Sequence, residues 1–410
     1  MKNIFLRRIV FWGCLLVTPI AGSSERPELS QWLDGVLAKH PGLQAAEASV
    51  DAASAQGRAA QQPLYNPELE LEYEKTDIRT RTAGINQTID WGDKRSSLSR
   101  IADHELMVAK TTLQQQRQEL AANLLSALAD YQNSLATKQV ADKRHDLMSR
   151  FAALAKQRRE AGDLAQIELD LAQLATAEAN FQRANAEADH VAARQKLAAF
   201  TGEPVNNLPD FPALTDSPDY PGADKTMLLD NLLAMRIARL HMDVSRSQLQ
   251  LRQREQQADP SIGLRAGKEG DESLTGLTLS IPLHVRNNYQ AEVDVANAEL
   301  IQKQREAIQV RRQLEASLSA SAKTYQINRK AWMDWQASGK RSLEQQGKLL
   351  DRLWRTGELS TTDYLVQLKQ VLDTEASAIE QRGQLWQTWI DWLTASGEIE
   401  GWLRTNGEQK

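Results

Sequence analysis

Asn66-Pro-Glu-Leu-Glu-Leu-Glu-Tyr-Glu74, a polar segment from Lys75 to Arg81, and then Thr82-Ala-Gly-Ile-Asn-Gln-Thr-Ile-Asp-Trp-Gly92 decide how this chain folds. In the first arm Leu69, Leu71 and Tyr73 share one parity, while Glu68, Glu70, Glu72 and Glu74 share the other. In the second arm Ala83, Ile85, Ile89 and Trp91 oppose Gly84, Asn86, Thr88 and Asp90. Alternation with period two is the signature of a strand whose faces meet different surroundings. Arms of this length match a membrane-crossing strand of about 9–11 residues, with one face fit for lipid and the other for water. Taken alone, a soluble hairpin with one wet face is the simpler account.

A second copy changes the balance. Asp259-Pro-Ser-Ile-Gly-Leu-Arg-Ala-Gly-Lys268, a polar loop from Glu269 to Ser273, and Thr275-Gly-Leu-Thr-Leu-Ser-Ile-Pro-Leu283 repeat the design. Ile262, Leu264 and Ala266 alternate with Ser261, Gly263 and Arg265; Leu277, Leu279, Ile281 and Leu283 alternate with Thr278, Ser280 and Pro282. Pro67 and Pro260 stand 193 residues apart.

The rest of the chain is helical in composition, with only 21 glycines and 12 prolines among 410 residues. After the first hairpin, residues 93–161 contain neither glycine nor proline, and Leu113, Leu120, Leu124, Leu128, Tyr131 and Leu135 form a helical stripe. A helix over that range is roughly 100 Å long. Gly162 breaks it, and a return helix over 164–200 follows. Five prolines between 204 and 221 mark a linker over 204–224. A helix from Lys225 to Gln257 then leads to the second hairpin. A long helical run over 287–355, interrupted at Gly339 and Gly347, and a return helix over 359–395 complete the pattern. Gly162 and Gly357, like Gly202 and Gly397, are 195 residues apart. The chain is therefore a tandem duplication, with repeats over 23–203 and 225–403, hairpins over 68–91 and 261–283, and a flexible tail at 404–410.

Met1 to Gly22 reads as a secretory signal. Lys2, Arg7 and Arg8 precede an apolar run from Ile9 to Ile20, and Ala21-Gly22-Ser23 offers a cleavage site. That run is too short for a helix across a bilayer. The only cysteine, Cys14, lies within it, so the mature chain has no disulfide and no thiolate metal ligand. A net charge of −5 predicts no nucleic-acid partner. His40, His104, His145, His190, His241 and His284 are scattered, which argues against a dedicated metal site, and no cofactor is expected. Without a Gly-x-x-x-x-Gly-Lys-Ser/Thr loop the chain does not power transport by nucleotide hydrolysis, and no enzymatic activity is expected. Trp386, Trp389, Trp392 and Trp402 cluster near the C-terminus with Leu385 and Leu393, placed to pack against the linker region.

Each repeat supplies two strands, so a chain supplies four. Small closed barrels need about eight strands, and an open strand edge in lipid is prohibitively costly. Strands immersed in a membrane must then be shared among several chains, with the helices continuing the barrel as a tube. The duplicated helix–hairpin–long-helix plan and the paired Arg159-Glu-Ala-Gly162 and Arg355-Thr-Gly357 turns resemble the TolC-type outer-membrane efflux factors. The Asn66-Pro-Glu-Leu69 approach and the Gln87-Thr-Ile-Asp-Trp-Gly-Asp-Lys-Arg95 exit are most similar to the cobalt–zinc–cadmium, heavy-metal branch.

That resemblance covers nearly the whole mature chain. It implies a homotrimer in the outer membrane, with a twelve-stranded barrel and a long periplasmic α-barrel. It also implies a periplasmic adaptor and an inner-membrane pump of the resistance–nodulation–division type as partners. By the same resemblance Arg159, Gly162, Asp163 and Leu164, with Arg355, Gly357, Glu358, Leu359 and Ser360, form an adaptor-docking tip. Asp363 matches a gate aspartate, with Glu168 and Asp170 as its counterparts in the first repeat, and a ring of such carboxylates would filter cations. Against this, the glycines can serve as helix caps and the acids can sit on a solvated face. Glu68, Glu70, Glu72 and Glu74 are expected to face the lumen. The alternatives are a duct of the same fold for drugs or secreted proteins, and a soluble periplasmic coiled-coil adaptor or rod.

Overall fold

A computed structural model describes residues 29–203, 208–211 and 225–407; the segment read as a signal, Cys14 and most of the 204–224 linker lie outside these residues. The chain begins with α1 (Leu29–Lys39) and α2 (Pro41–Ala60), followed by β1 (Glu68–Lys75) and β2 (Arg79–Thr88). Next come α3 (Lys94–Glu160) and α4 (Gln166–Thr201), then α5 (Lys225–Asn231) and α6 (Leu233–Glu255). The second repeat continues with β3 (Ser261–Glu269), β4 (Glu272–Ser280), α7 (Gln290–Asp334), α8 (Lys340–Arg355), α9 (Thr361–Ser396) and α10 (Ile399–Gly407). The expected helix from Lys225 to Gln257 is thus divided at Leu232, and the tail expected to be flexible is helical as far as Gly407.

The four strands make one antiparallel sheet in the order β1-β2-β3-β4, so the two hairpins lie side by side. The pairing puts Leu69, Ile85, Leu264 and Leu277 in one row across the sheet. Leu71, Ala83, Ala266 and Thr275 form the next row outward, and Gln87, Ile262 and Leu279 the next row toward the helices. These rows lie on one face, and their large apolar side chains are exposed in the single chain, Leu277 at 73%. From Thr275 to Ile281 is six strand steps, an apolar height of roughly 20 Å, close to the ~25 Å band of a membrane barrel. Tyr73 lies above this band and Trp91 below it, both exposed, at positions suited to aromatic girdles.

The two long helices differ. Helix α3 runs unbroken for 67 residues, whereas the second is interrupted by a π turn at Trp335–Gly339. A Cβ on Gly339 would fall 2.3 Å from the Trp335 ring, so this turn requires a glycine. Gly347, also expected to interrupt, sits inside α8 without a break, with Val371 at van der Waals distance. Both long helices start after a non-glycine residue in the left-handed region, Asp93 (φ 54°) and Tyr289 (φ 57°). The chain turns there from strand to helix, which moves the second start from 287 to Gln290.

Two apolar cores hold the helices together. The larger, midway along α3, gathers Leu124, Leu125 and Leu128 with Tyr325, Trp389 and Trp392. Phe211 from the linker packs at a tilt against Trp386, 4.9 Å between ring centroids, and approaches Trp402 at 6.4 Å. The C-terminal tryptophans therefore pack against the linker. The smaller core lies where α3, α4, α8 and α9 end together: Phe151, Leu164, Trp354 and Tyr364, with Trp354 and Tyr364 stacked at 4.6 Å.

Candidate functional site

The inner face of the sheet carries the first set of candidate residues. Glu68, Glu70, Glu72 and Glu74 occupy the parity opposite the leucines, in register with Asn86, Gly84, Thr82 and Thr80. Asn86 donates to Glu70 at 2.9 Å, and the Thr82 hydroxyl donates to Glu72 at 3.1 Å. Glu269 and Glu272 fall on the same face, and among strand residues it holds one cation, Arg265, 3.8 Å from Glu72. Six carboxylates against one guanidinium leave this wall strongly negative. The glycines of the strands also lie here. A Cβ on Gly267 would meet the Arg81 carbonyl at 1.9 Å, and one on Gly263 would meet the Asn86 amide at 1.9 Å. Small residues on the concave side let the sheet curve tightly.

Where strand becomes helix, one cluster ties the repeats together. Asp259, 7% exposed, accepts hydrogen bonds from the Tyr65 hydroxyl at 2.6 Å, from Lys94 Nζ at 2.8 Å and from the Trp91 backbone N–H at 3.2 Å. Asp90 accepts from the backbone N–H groups of Lys94 and Arg95 at 2.8 and 2.9 Å and so caps α3. Arg254 pairs with Asp93 at 2.7 Å. Burial pushes the Asp259 carboxyl up, but hydrogen bonds from Lys94 and Tyr65 outweigh it, and the net shift is downward. Tyr65 is pushed up to about 12, chiefly by its hydrogen bond to Asp259.

A carboxyl lowered on folding stabilises above its unfolded value near ~3.9, and that stability is lost as pH falls through the folded value. Removing one partner of a buried pair costs about 3 kcal/mol. Lys94→Met should therefore destabilise the protein by about that amount at neutral pH, and by progressively less as the pH falls below about 4 toward the depressed Asp259 value. Thermal unfolding in detergent at pH 7 and pH 3.5 checks this; a penalty that stays constant in acid sinks it.

At the far end of the helices the two turns are built alike. After α3, Asp163 N–H donates to the Arg158 carbonyl at 2.8 Å and Gly162 N–H to Arg159 at 3.1 Å. After α8, Glu358 N–H donates to the Leu353 carbonyl at 3.0 Å and Gly357 N–H to Trp354 at 3.2 Å. These six-to-one closures require a left-handed residue, and Gly162 (φ 86°) and Gly357 (φ 79°) supply it. Leu164 is buried and Leu359 packs partly against the same core, so one apolar cluster seats both turns. Asp163 and Glu358 are exposed.

Of the acids expected at a gate, Asp363 and Glu168 sit in the first turns of the return helices and Asp170 just beyond. Asp363 accepts from the Ser360 hydroxyl at 2.7 Å and returns its own N–H to that oxygen at 3.1 Å. Glu168 accepts from the Ala165 N–H at 3.1 Å; alanine offers no side-chain acceptor, so only half of a reciprocal cap forms there. Asp170 accepts from Gln166 at 2.8 Å, and Arg159 reaches Gln166 at 3.3 Å. The Arg355 side chain lies outside the described residues. Sequence reasoning missed the Phe151–Trp354–Tyr364 seat and the buried Arg144, which donates to Asp373 on α9 and Gln182 on α4. Trp354 and Tyr364 flanking Gly357 were the available signal for the seat; Arg144 carries none in its local pattern.

Residues 32–203 match the family described as outer membrane efflux protein. That stretch takes in the first repeat and stops short of the second. Cobalt-zinc-cadmium resistance protein CzcC of Cupriavidus metallidurans is 25% identical to it over 236 residues, a match that spans 56% of this chain and 56% of that protein. Among solved structures, CusC superposes with a TM-score of 0.76 at 15% identity, covering 90% of this chain and 92% of that one. The CmeC outer membrane channel of Campylobacter jejuni gives 0.77 at 12% identity over 99% and 98% of the two chains. The outer-membrane channel OprN gives 0.78 at 15% identity over 91% of each. The fold of these channels thus extends over both repeats, with the long helices joined to a sheet of four strands. Among the described residues no helix is long and apolar enough to cross a membrane.

Proposed function

We propose that this chain is an outer membrane efflux protein, three copies of which form an exit duct for heavy-metal cations, with the helices in the periplasm and the sheet in the outer membrane. The carrying observation is the sign of the inner wall, where each chain places six strand carboxylates against one arginine. Such a wall concentrates cations and repels anions. The name of the relative CzcC points to the same cargo class. A pump of the resistance–nodulation–division type, reached through a periplasmic adaptor, supplies the energy.

In this reading the paired turns dock the adaptor through Arg159, Gly162, Asp163 and Leu164 and through Arg355, Gly357, Glu358, Leu359 and Ser360. Threefold symmetry would gather Asp363, Glu168 and Asp170 into rings of acid at the closed end. Their local hydrogen bonds hold the carboxylates in place.

Planar-bilayer recording tests the wall. Wild-type trimers should prefer potassium over chloride, and Glu70→Gln/Glu72→Gln should move the permeability ratio several-fold toward unity. Deleting the gene should lower tolerance to zinc, cobalt or cadmium. Anion preference, or unchanged metal tolerance with lost drug tolerance, defeats the metal reading.

A further inference from the structure

The charges of the sheet are sorted by face. All six strand carboxylates share the inner face with Arg265. The other four strand cations, Lys75, Arg79, Arg81 and Lys268, share the outer face with the leucines. The register places them together: Lys75 pairs with Arg79, and Tyr73, Arg81, Lys268 and Ser273 form the adjacent row. Both rows lie beyond the Leu71–Ala83–Ala266–Thr275 row, at the end of the sheet away from the helices. All four side chains are exposed, and none makes an ion pair among the described residues. Arg81 lies over the Tyr73 ring at 5.7 Å, so the two share one face of the sheet.

Four unpaired cations above an apolar band, with no strand carboxylate on their face, are not explained by the duct, whose chemistry is on the other side of the sheet. We propose that they form a basic belt that binds the phosphate-bearing headgroups of outer-leaflet lipid. This rests on the reading of the sheet as an outer-membrane wall with its turns outside. At that height the outer face meets headgroups, and a cluster of lysines and arginines at a membrane surface attracts anionic lipid by about a factor of five per cation. Arg81 lies over the Tyr73 ring with Lys268 next in its row, so one headgroup can take guanidinium hydrogen bonds while its chains lie on the leucine rows. Three chains would present twelve such cations around the barrel.

Trimers purified in neutral detergent can be titrated with lipid A bearing two phosphates or none, and retention read by native mass spectrometry. Wild-type protein should retain the phosphorylated form at least tenfold better. Lys75→Gln/Arg79→Gln/Arg81→Gln/Lys268→Gln should lose that preference while still inserting and conducting in bilayers. Raising salt should weaken retention, and inorganic phosphate at millimolar concentration should not displace the lipid. Wild-type channels that conduct but retain both lipids equally overturn the belt and leave the duct standing, as does a fourfold variant with undiminished preference. Displacement by inorganic phosphate overturns a lipid site in favour of a general anion site. A wild-type chain that neither inserts in bilayers nor floats with liposomes overturns the duct, and the belt with it.

Discussion

Leu264→Arg should leave cells without the assembled trimer. Leu264 stands in the row Leu69–Ile85–Leu264–Leu277, midway in the apolar height of the sheet, and is 67% exposed in the single chain. A lipid-facing arginine at the midplane of a barrel costs about 2–4 kcal/mol, so three copies cost roughly 6–12 kcal/mol. That is comparable to the whole stability of an ordinary domain. The penalty also falls on assembly. Strands β1 and β4 are the open edges of this sheet, and their unpaired N–H and C=O groups find partners in lipid only in neighbouring chains. Thr278→Arg is the matched control. Thr278 follows Leu277 but pairs with Gly263 on the inner face, where a cation meets water and nearby carboxylates. Outer-membrane fractionation with unheated gel electrophoresis should show trimer for Thr278→Arg and none for Leu264→Arg. Equal trimer in both would mean that the leucine face does not meet lipid.

That contrast also explains which parts of the structure were legible. A strand between lipid and water must alternate, so the hairpins and their faces could be read from Leu69, Glu70 and their neighbours. The helix-ending glycines were legible because a left-handed cap selects glycine. The ends of the second long helix were less so. Its start depends on the left-handed Tyr289 and its interruption on the packing of Trp335 over Gly339. Neither leaves a periodic trace, while Gly347, which looks the same in sequence, is accommodated in the helix. The cluster of Asp259, Tyr65 and Lys94 was hidden for a different reason. Asp259 stands 165 or more positions from Tyr65 and Lys94 and meets them only because the two hairpins pair. Arg144 is similar: one buried cation in a mostly charged helix surface is recognisable only when Asp373 and Gln182 are seen beside it.

Gly162→Trp/Gly357→Trp should reduce metal tolerance to that of a gene deletion while trimers still form. Each glycine has a left-handed φ, and a Cβ at either position would touch nothing within 4 Å. The cost of a side chain there is therefore backbone strain alone, about 1–2 kcal/mol per position. The apolar seat of Phe151, Trp354 and Tyr364 lies beneath the turns and is untouched. The open space that makes tryptophan tolerable to this chain is also where a partner would close on the turns, and a bulky ring would hold that partner off. Smaller residues separate the two effects. Asparagine adopts the left-handed region with little strain, so Gly162→Asn/Gly357→Asn should keep both the trimer and most of the tolerance. Alanine should lower thermal stability by more than asparagine while leaving tolerance near wild type. If tryptophan at both turns preserves full tolerance, the tip is not where the adaptor docks. If alanine and tryptophan alike abolish the trimer, the glycines are caps and nothing more.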